Sequence, residues 1–212
     1  MKSSIYLLSD KKQDGVINLP VFEINNIKTT IDLKKYDALV FTSKNAIYSI
    51  DSFNKQWKSI PSYAIAPQTG NIIKKLGGDL EFIGKKNHGN EFAFELIKIL
   101  KGKKVLYLRG NKVVSTLSSI LNENDIICDE LIVYESICKK YNEKFNLPKS
   151  SIIIFSSPST IECFFKNSSW DKSFRAIAIG KTTAKYFPDY IKPIISDNTS
   201  LESCINKALE LK

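Results

Sequence analysis

At 212 residues the chain has room for one large domain or two of about 100 residues each, and either arrangement buries a full core. Apolar residues make up 43% and charged residues 25%, with nine Gly and seven Pro, which excludes collagen-like, low-complexity and wholly disordered chains. The net charge of +9 points to an anionic partner, but among 31 basic residues only Arg109 and Arg175 are arginine. Base-edge reading favours the planar guanidinium, and these lysines fall in scattered pairs instead of one aromatic-interleaved stripe, so no nucleic-acid partner is expected.

In chain order, Ile5–Leu8, Ala38–Phe41, Tyr63–Ala66, Lys104–Leu108, Ile152–Phe155 and Ala176–Ile179 are short apolar, β-branched runs that read as buried strands. Helix-like segments lie between them, and that alternation predicts an α/β protein with parallel sheets. Glu91–Leu100 places Phe92, Leu96, Ile97 and Leu100 on one helical face behind Asn90 as a cap. The last helix is read from Leu201, Cys204, Ile205, Ala208 and Leu209, with Thr199 and Glu202 at capping-box spacing. No apolar run approaches the roughly 20 residues of a membrane span, and Ile5–Leu8 is too short for a signal-peptide core. A cytoplasmic protein with no membrane partner is therefore expected.

Cys128, Cys138, Cys163 and Cys204 show no C-x-x-C spacing, and His88 is the sole histidine, so no metal site is expected. Two disulfides are arithmetically possible, but buried thiols in a reducing compartment are the simpler expectation. His88, in a loop before a helix, reads as a surface residue.

An internal echo is the most informative feature. At an offset of 114 residues, Phe41-Thr-Ser43-Lys-Asn45-Ala-Ile47 lies over Phe155-Ser-Ser157-Pro-Ser159-Thr-Ile161. The same offset places Ile65-Ala-Pro-Gln-Thr69-Gly70 over Ile179-Gly-Lys181-Thr182-Thr183-Ala184. Two strand-turn-helix units thus keep both their chemistry and their separation, which predicts two similar α/β domains. A strand that ends in Ser or Thr and enters a helix presents unpaired backbone N–H groups beside hydroxyls, a ready cradle for carboxylate or phosphate. The alternative is that Ser43, Ser157 and Ser159 are plain helix caps, each contributing about 1 kcal/mol.

The strand Ile5–Leu8 precedes the first repeat and needs a sheet to join. Two extended stretches, Leu19–Ile24 and Leu131–Ile137, bracket that repeat. They are expected to pair as linker strands over 19–26 and 131–137. The domains would then be 1–22 with 138–212, and an inserted 27–131.

The segments Phe41–Ile47, Phe155–Ile161, Ala178–Ala184 and Val133-Tyr134-Glu135 together resemble the signature segments of the uroporphyrinogen-III synthase family, over nearly the whole chain. The resemblance implies two HemD-like, flavodoxin-related domains joined by a two-stranded β linker, working as a monomer without cofactor. It implies a cyclising lyase of haem biosynthesis that closes hydroxymethylbilane to uroporphyrinogen III, with ring D inverted and water lost, and a transient contact with the upstream hydroxymethylbilane synthase. By the same resemblance Tyr134 assists the leaving hydroxyl from the bridge facing a cleft. Substrate carboxylates go to Ser43, Asn45, Thr69, Ser157, Ser159, Thr182 and Thr183, with Lys181 a lesser candidate. Arg109 either clamps a propionate or forms a structural ion pair. Where family members carry a helix after the first strand, this chain has Leu8-Ser-Asp-Lys-Lys-Gln-Asp-Gly15, so that helix is expected to be missing or reduced to a loop. The competing reading is a non-catalytic two-domain binding or sensor module for a polyanionic small molecule.

Overall fold

The computed structural model of the chain describes residues 3–85, 88–113 and 115–212; residues 1, 2, 86, 87 and 114, which the expected domain ranges span, lie outside them. The chain opens with β1 (Ile5–Leu7), β2 (Ile17–Asn18) and β3 (Phe22–Asn26). It continues through β4 (Ala38–Phe41), α1 (Lys44–Phe53), β5 (Ser62–Ala64), α2 (Pro67–Lys75), β6 (Leu80–Ile83), α3 (Gly89–Leu100), β7 (Lys104–Gly110), α4 (Leu117–Asn122) and β8 (Ile127–Cys138). It closes with β9 (Ile152–Phe155), α5 (Pro158–Asn167), β10 (Arg175–Ala178), α6 (Lys181–Ala184), β11 (Ile194–Ile195) and α7 (Leu201–Glu210). Two compact units result: the chain up to Glu23 together with Ile137–Lys212, and the segment Ile24–Ser136.

In the second of these the strand order is β3-β8-β7-β4-β5-β6. All neighbours from β8 to β6 are parallel. β3 runs antiparallel to β8, because Ile27 N donates to Val133 O (2.8 Å) and Lys139 N to Val21 O (2.8 Å), in opposite order along the two strands. Leu19–Val21 is not part of β3; Pro20 has no N–H to give to a ladder. β4 shows why its run is continuously apolar. Ala38 and Val40 face a core completed by α3 and α4, while Leu39 and Phe41 face one completed by α1 and α2 with the fully buried Trp57.

The other unit is a parallel sheet of order β11-β10-β9-β1-β2. Ile153 and Phe155 of β9 pack towards α5, and Ile152 and Ile154 towards α7. Turns and loop, with no helix, join β1 to β2. Among the described residues no helix is long and apolar enough to cross a membrane.

Three expectations need correction. α3 begins at Gly89 with His88 at the N-cap position, and Asn90 is no cap: its Oδ1 accepts from Thr116 N at 2.9 Å. α7 is capped by Ser200, which accepts from Ser203 N at 3.1 Å, in place of the expected Thr199–Glu202 box. Cys138 and Cys163 are joined in a disulfide, leaving only Cys128 and Cys204 as the expected buried thiols. Linear spacing of 25 residues could not show that the end of β8 and the middle of α5 meet.

Candidate functional site

In each unit the strand order reverses at one place: between β4 and β7 in the Ile24–Ser136 unit, and between β9 and β1 in the other. The loops at the carboxyl ends of strands beside such a reversal are the usual ligand edge of an open α/β sheet. The candidate residues fall on these two edges.

At the β4–β7 edge, β4 ends at Phe41 and the backbone stays extended through Ser43 (φ −148°, ψ 138°), the N-cap of α1. Ser43 Oγ accepts from Asn45 N at 3.2 Å, which leaves the hydroxyl proton available to a ligand. Asn45 is the second residue of α1 and half-buried. Phe41 is in register with Leu108, so Ser43 and Gly110 stand two residues further along neighbouring chains.

Tyr134 belongs to this edge. The β7–β8 register shifts between Arg109 and Gly110, which brings Gly110 opposite Tyr134, and Asn111 N donates to Tyr134 O at 3.0 Å. The Tyr134 ring lies on Gly110: a Cβ there would stand 2.7 Å from Cζ and 2.9 Å from Oη. Tyr134 is half-buried against the core beneath α1, and among the described residues its hydroxyl has no hydrogen-bond partner.

Arg109 is committed elsewhere. Its Nε and Nη2 both meet Glu130 Oε2 at 2.7 Å, and Nη1 donates to Gly110 O at 2.9 Å. Burial pushes the Glu130 carboxyl up, but the Ser118 hydroxyl and Arg109 outweigh it and hold the group below its usual range. Of its two sequence-level readings, the geometry shows the ion pair.

Thr69 follows the neighbouring strand β5. It is the third residue of α2, 6% exposed, with its N–H on Ala66 O at 3.0 Å. Ala66 caps α2 without a side-chain bond, Pro67 has no N–H, and Gly70 N also closes on Ala66 O at 3.0 Å, so Gln68 supplies the N–H of the first turn that is left to a ligand.

The other unit presents its own pair of turns. Ser157 caps α5 in a reciprocal box: its Oγ accepts from Thr160 N (3.3 Å), and Thr160 Oγ1 accepts from Ser157 N (3.3 Å). Ser159 is half-buried at the second helical position. After β10, Gly180 is the extended N-cap of α6, followed by exposed Lys181 and Thr182 and by Thr183, which is buried. The sequence-level candidates therefore divide into Ser43, Asn45, Thr69, Arg109 and Tyr134 on one sheet edge, and Ser157, Ser159, Lys181, Thr182 and Thr183 on the other.

One residue escaped the sequence reading. Tyr107, 1% exposed in β7, shares a hydrogen bond of 2.8 Å between its Oη and Thr42 Oγ1. Burial pushes its hydroxyl up, against the opposing influence of Thr42 and Ser115. In sequence Tyr107 is one apolar letter of a strand, and nothing local announces a polar tip at the site edge. Among the described residues no three His, Cys, Asp or Glu side chains are gathered as metal ligands.

Comparison with known proteins gives a concordant result. Residues 10–206 match the family model described as uroporphyrinogen-III synthase HemD. A uroporphyrinogen-III synthase of Chlorobaculum parvum is 25% identical over 190 residues, covering 80% of this chain and 77% of its own. The crystal structure of uroporphyrinogen-III synthetase from Helicobacter pylori superposes with a TM-score of 0.81 at 27% identity, over 100% of both chains. A mutant uroporphyrinogen III synthase from Thermus thermophilus, 12% identical over 100% of both chains with a TM-score of 0.51, shares the fold.

Proposed function

The chain belongs to the uroporphyrinogen-III synthase family of cyclising lyases, and we propose that it closes hydroxymethylbilane to uroporphyrinogen III with inversion of ring D and loss of water. The observation that carries the chemistry is the placement of Tyr134: a half-buried phenol on Gly110, with its hydroxyl unengaged among the described residues, beside the Ser43 turn. The Tyr134 hydroxyl donates to the departing hydroxyl of ring A. The carbon–oxygen bond breaks, water leaves, and an azafulvenium cation remains. The substituted carbon of ring D attacks that cation to give a spiro intermediate, which fragments and recloses with ring D inverted; the proton finally lost from the macrocycle restores the phenol.

Hydroxymethylbilane closes unaided to the isomer without inversion, so the protein's task is to bring one carbon and not its neighbour to the cation. Polycarboxylate recognition suits what the two edges offer. The hydroxyls of Ser43, Thr69, Ser157, Ser159, Thr182 and Thr183, the Asn45 amide and the helix N-terminal N–H groups are oriented donors that need no ionisable partner. Lys181 adds charge. Arg109, held by Glu130, acts here by keeping the β7 end and Gly110 in place.

The test is to incubate purified protein with freshly generated hydroxymethylbilane and separate the oxidised isomers. Isomer III is expected to predominate; isomer I alone, at the spontaneous rate from folded protein, would remove the activity. Tyr134→Phe is expected to lower kcat by about 100-fold while product binding holds. Unchanged turnover would take Tyr134 out of the mechanism.

A further inference from the structure

The disulfide between Cys138, the last residue of β8, and Cys163 of α5 has no part in the proposed cyclisation, and its two sulfurs have different surroundings. Cys163 is 1% exposed, packed in the core beneath α5. Cys138 is half-buried and lines a cavity of about 510 Å³ together with Lys139, Lys140, Tyr141, Lys166 and Asn167. Three lysines thus line the cavity that Cys138 borders. Lys139 Nζ lies 5.1 Å from the centre of the Tyr141 ring, and Lys166 is paired with Glu162 at 2.6 Å. Such a cavity concentrates small anions at its floor.

A second observation concerns what remains when the sulfur–sulfur bond opens. Asn167, 6% exposed, donates from Nδ2 to Lys139 O (2.9 Å) and Cys163 O (2.9 Å), and its Oδ1 accepts from Tyr141 N (3.3 Å). Lys139 N also donates to Val21 O at 2.8 Å. None of these bonds uses sulfur. They tie the segment after Cys138 to α5 independently of the sulfur–sulfur bond.

We propose that Cys138–Cys163 is a reversible thiol–disulfide exchange site for an anionic low-molecular-weight thiol and its disulfide, entered through the lysine-lined cavity. In the reducing direction the external thiolate attacks Cys138 Sγ, the Cys138–Cys163 bond breaks, and Cys163 leaves as a thiolate that takes a proton from solvent. A second external thiolate attacks the outer sulfur of the mixed disulfide. It releases Cys138 as a thiolate and carries away the external disulfide. In the oxidising direction the Cys138 thiolate attacks the external disulfide, breaks its sulfur–sulfur bond and releases one external thiolate; the Cys163 thiolate then attacks Cys138 Sγ of the adduct and releases the second. Cys128 and Cys204 are buried free thiols and serve as internal references; burial pushes Cys128 up to about 12.

The test uses the full chain, oxidised, with glutathione as probe at stepped ratios of thiol to disulfide, and thiols counted by alkylation and intact mass. Two thiols are expected to appear and disappear together without unfolding, and Cys163→Ser is expected to retain a single glutathionyl group, on Cys138. Lys139→Gln with Lys140→Gln is expected to slow attack by glutathione about tenfold and leave attack by neutral 2-mercaptoethanol unchanged. A pair that opens only under denaturant, an adduct on Cys128 or Cys204, or equal slowing of both reagents would each overturn the proposal.

Discussion

Gly110 matters for what it leaves out. Its missing side chain is the space the Tyr134 ring occupies, so Gly110→Val must push the phenol aside: the new Cβ would stand 2.7 Å from Cζ. The expected outcome is a loss of kcat of about 100-fold, matching Tyr134→Phe, because both remove the same donor. If Gly110→Val kept full turnover, the phenol would not need that seat. Arg109 and Glu130 give a second test at this scale, read from stability. Burial, which raises the Glu130 carboxyl, is outweighed by Ser118 and Arg109, so the folded-state value lies below the unfolded one. Its stabilisation is then present above the unfolded carboxylate range and lost as pH falls through the lower folded value. The Glu130 side chain is 33% exposed and Arg109 16%, so screening limits the pair to about 1 kcal/mol or less. Thermal melts of wild type and Glu130→Gln should differ by that amount at neutral pH and converge below about pH 4. A difference that persists in acid would assign the effect to packing instead.

At the scale of elements, strand positions were legible and helix beginnings were less so. The apolar runs at residues 38–41 and 152–155 are strands to the residue, because a strand covered on both faces must be apolar throughout. Cap chemistry is ambiguous wherever several Ser, Thr and Asn crowd together. Ser200 wins over Thr199, and Asn90 is drawn away to Thr116 N. The strand β8 was seen only from residue 131, since its opening Ile127-Cys-Asp-Glu carries two carboxylates. Those face the sheet's own cations: Asp129 meets Lys104 at 3.5 Å and Glu130 meets Arg109. The α5 cap separates structural from binding roles. Thr160→Ala removes one half of the reciprocal box and leaves Ser157 in place. It should cost about 1 kcal/mol of stability, seen as a lower Tm, with KM little changed. Ser159→Ala, whose hydroxyl caps nothing among the described residues, should raise KM and spare Tm. The opposite pattern would make the α5 turn a purely structural feature.

The whole chain carries its history in one number. α1 and α5 are displaced by 114 residues at both ends, as are β4 and β9 at Phe41 and Phe155, and α2 and α6 at their first residues. Apart from β3, the sheets then correspond strand for strand. Reading β6-β5-β4-β7-β8 against β11-β10-β9-β1-β2 puts β7 opposite β1, although β7 follows its repeat and β1 precedes its own. Sequence periodicity shows only the shared middle of such a pair, which is why Ile5–Leu8 had no visible counterpart: its equivalent lies on the other side of the repeat. The disulfide was illegible for another reason: both cysteines lie in the enclosing unit, 25 residues apart, and only the fold brings the end of β8 onto α5. This arrangement makes one unit contiguous, with both faces of its sheet covered by its own helices α1 to α4. A fragment spanning Ile24–Ser136 should therefore fold alone. Its fluorescence reports on Trp57, 0% exposed in the core beneath α1, because Trp170 lies outside the fragment. Thermal unfolding should be a single cooperative transition with a blue-shifted Trp57 in the native state. A broad, non-cooperative melt would mean that the inserted unit depends on the enclosing one for its stability, and that the two cores do not suffice.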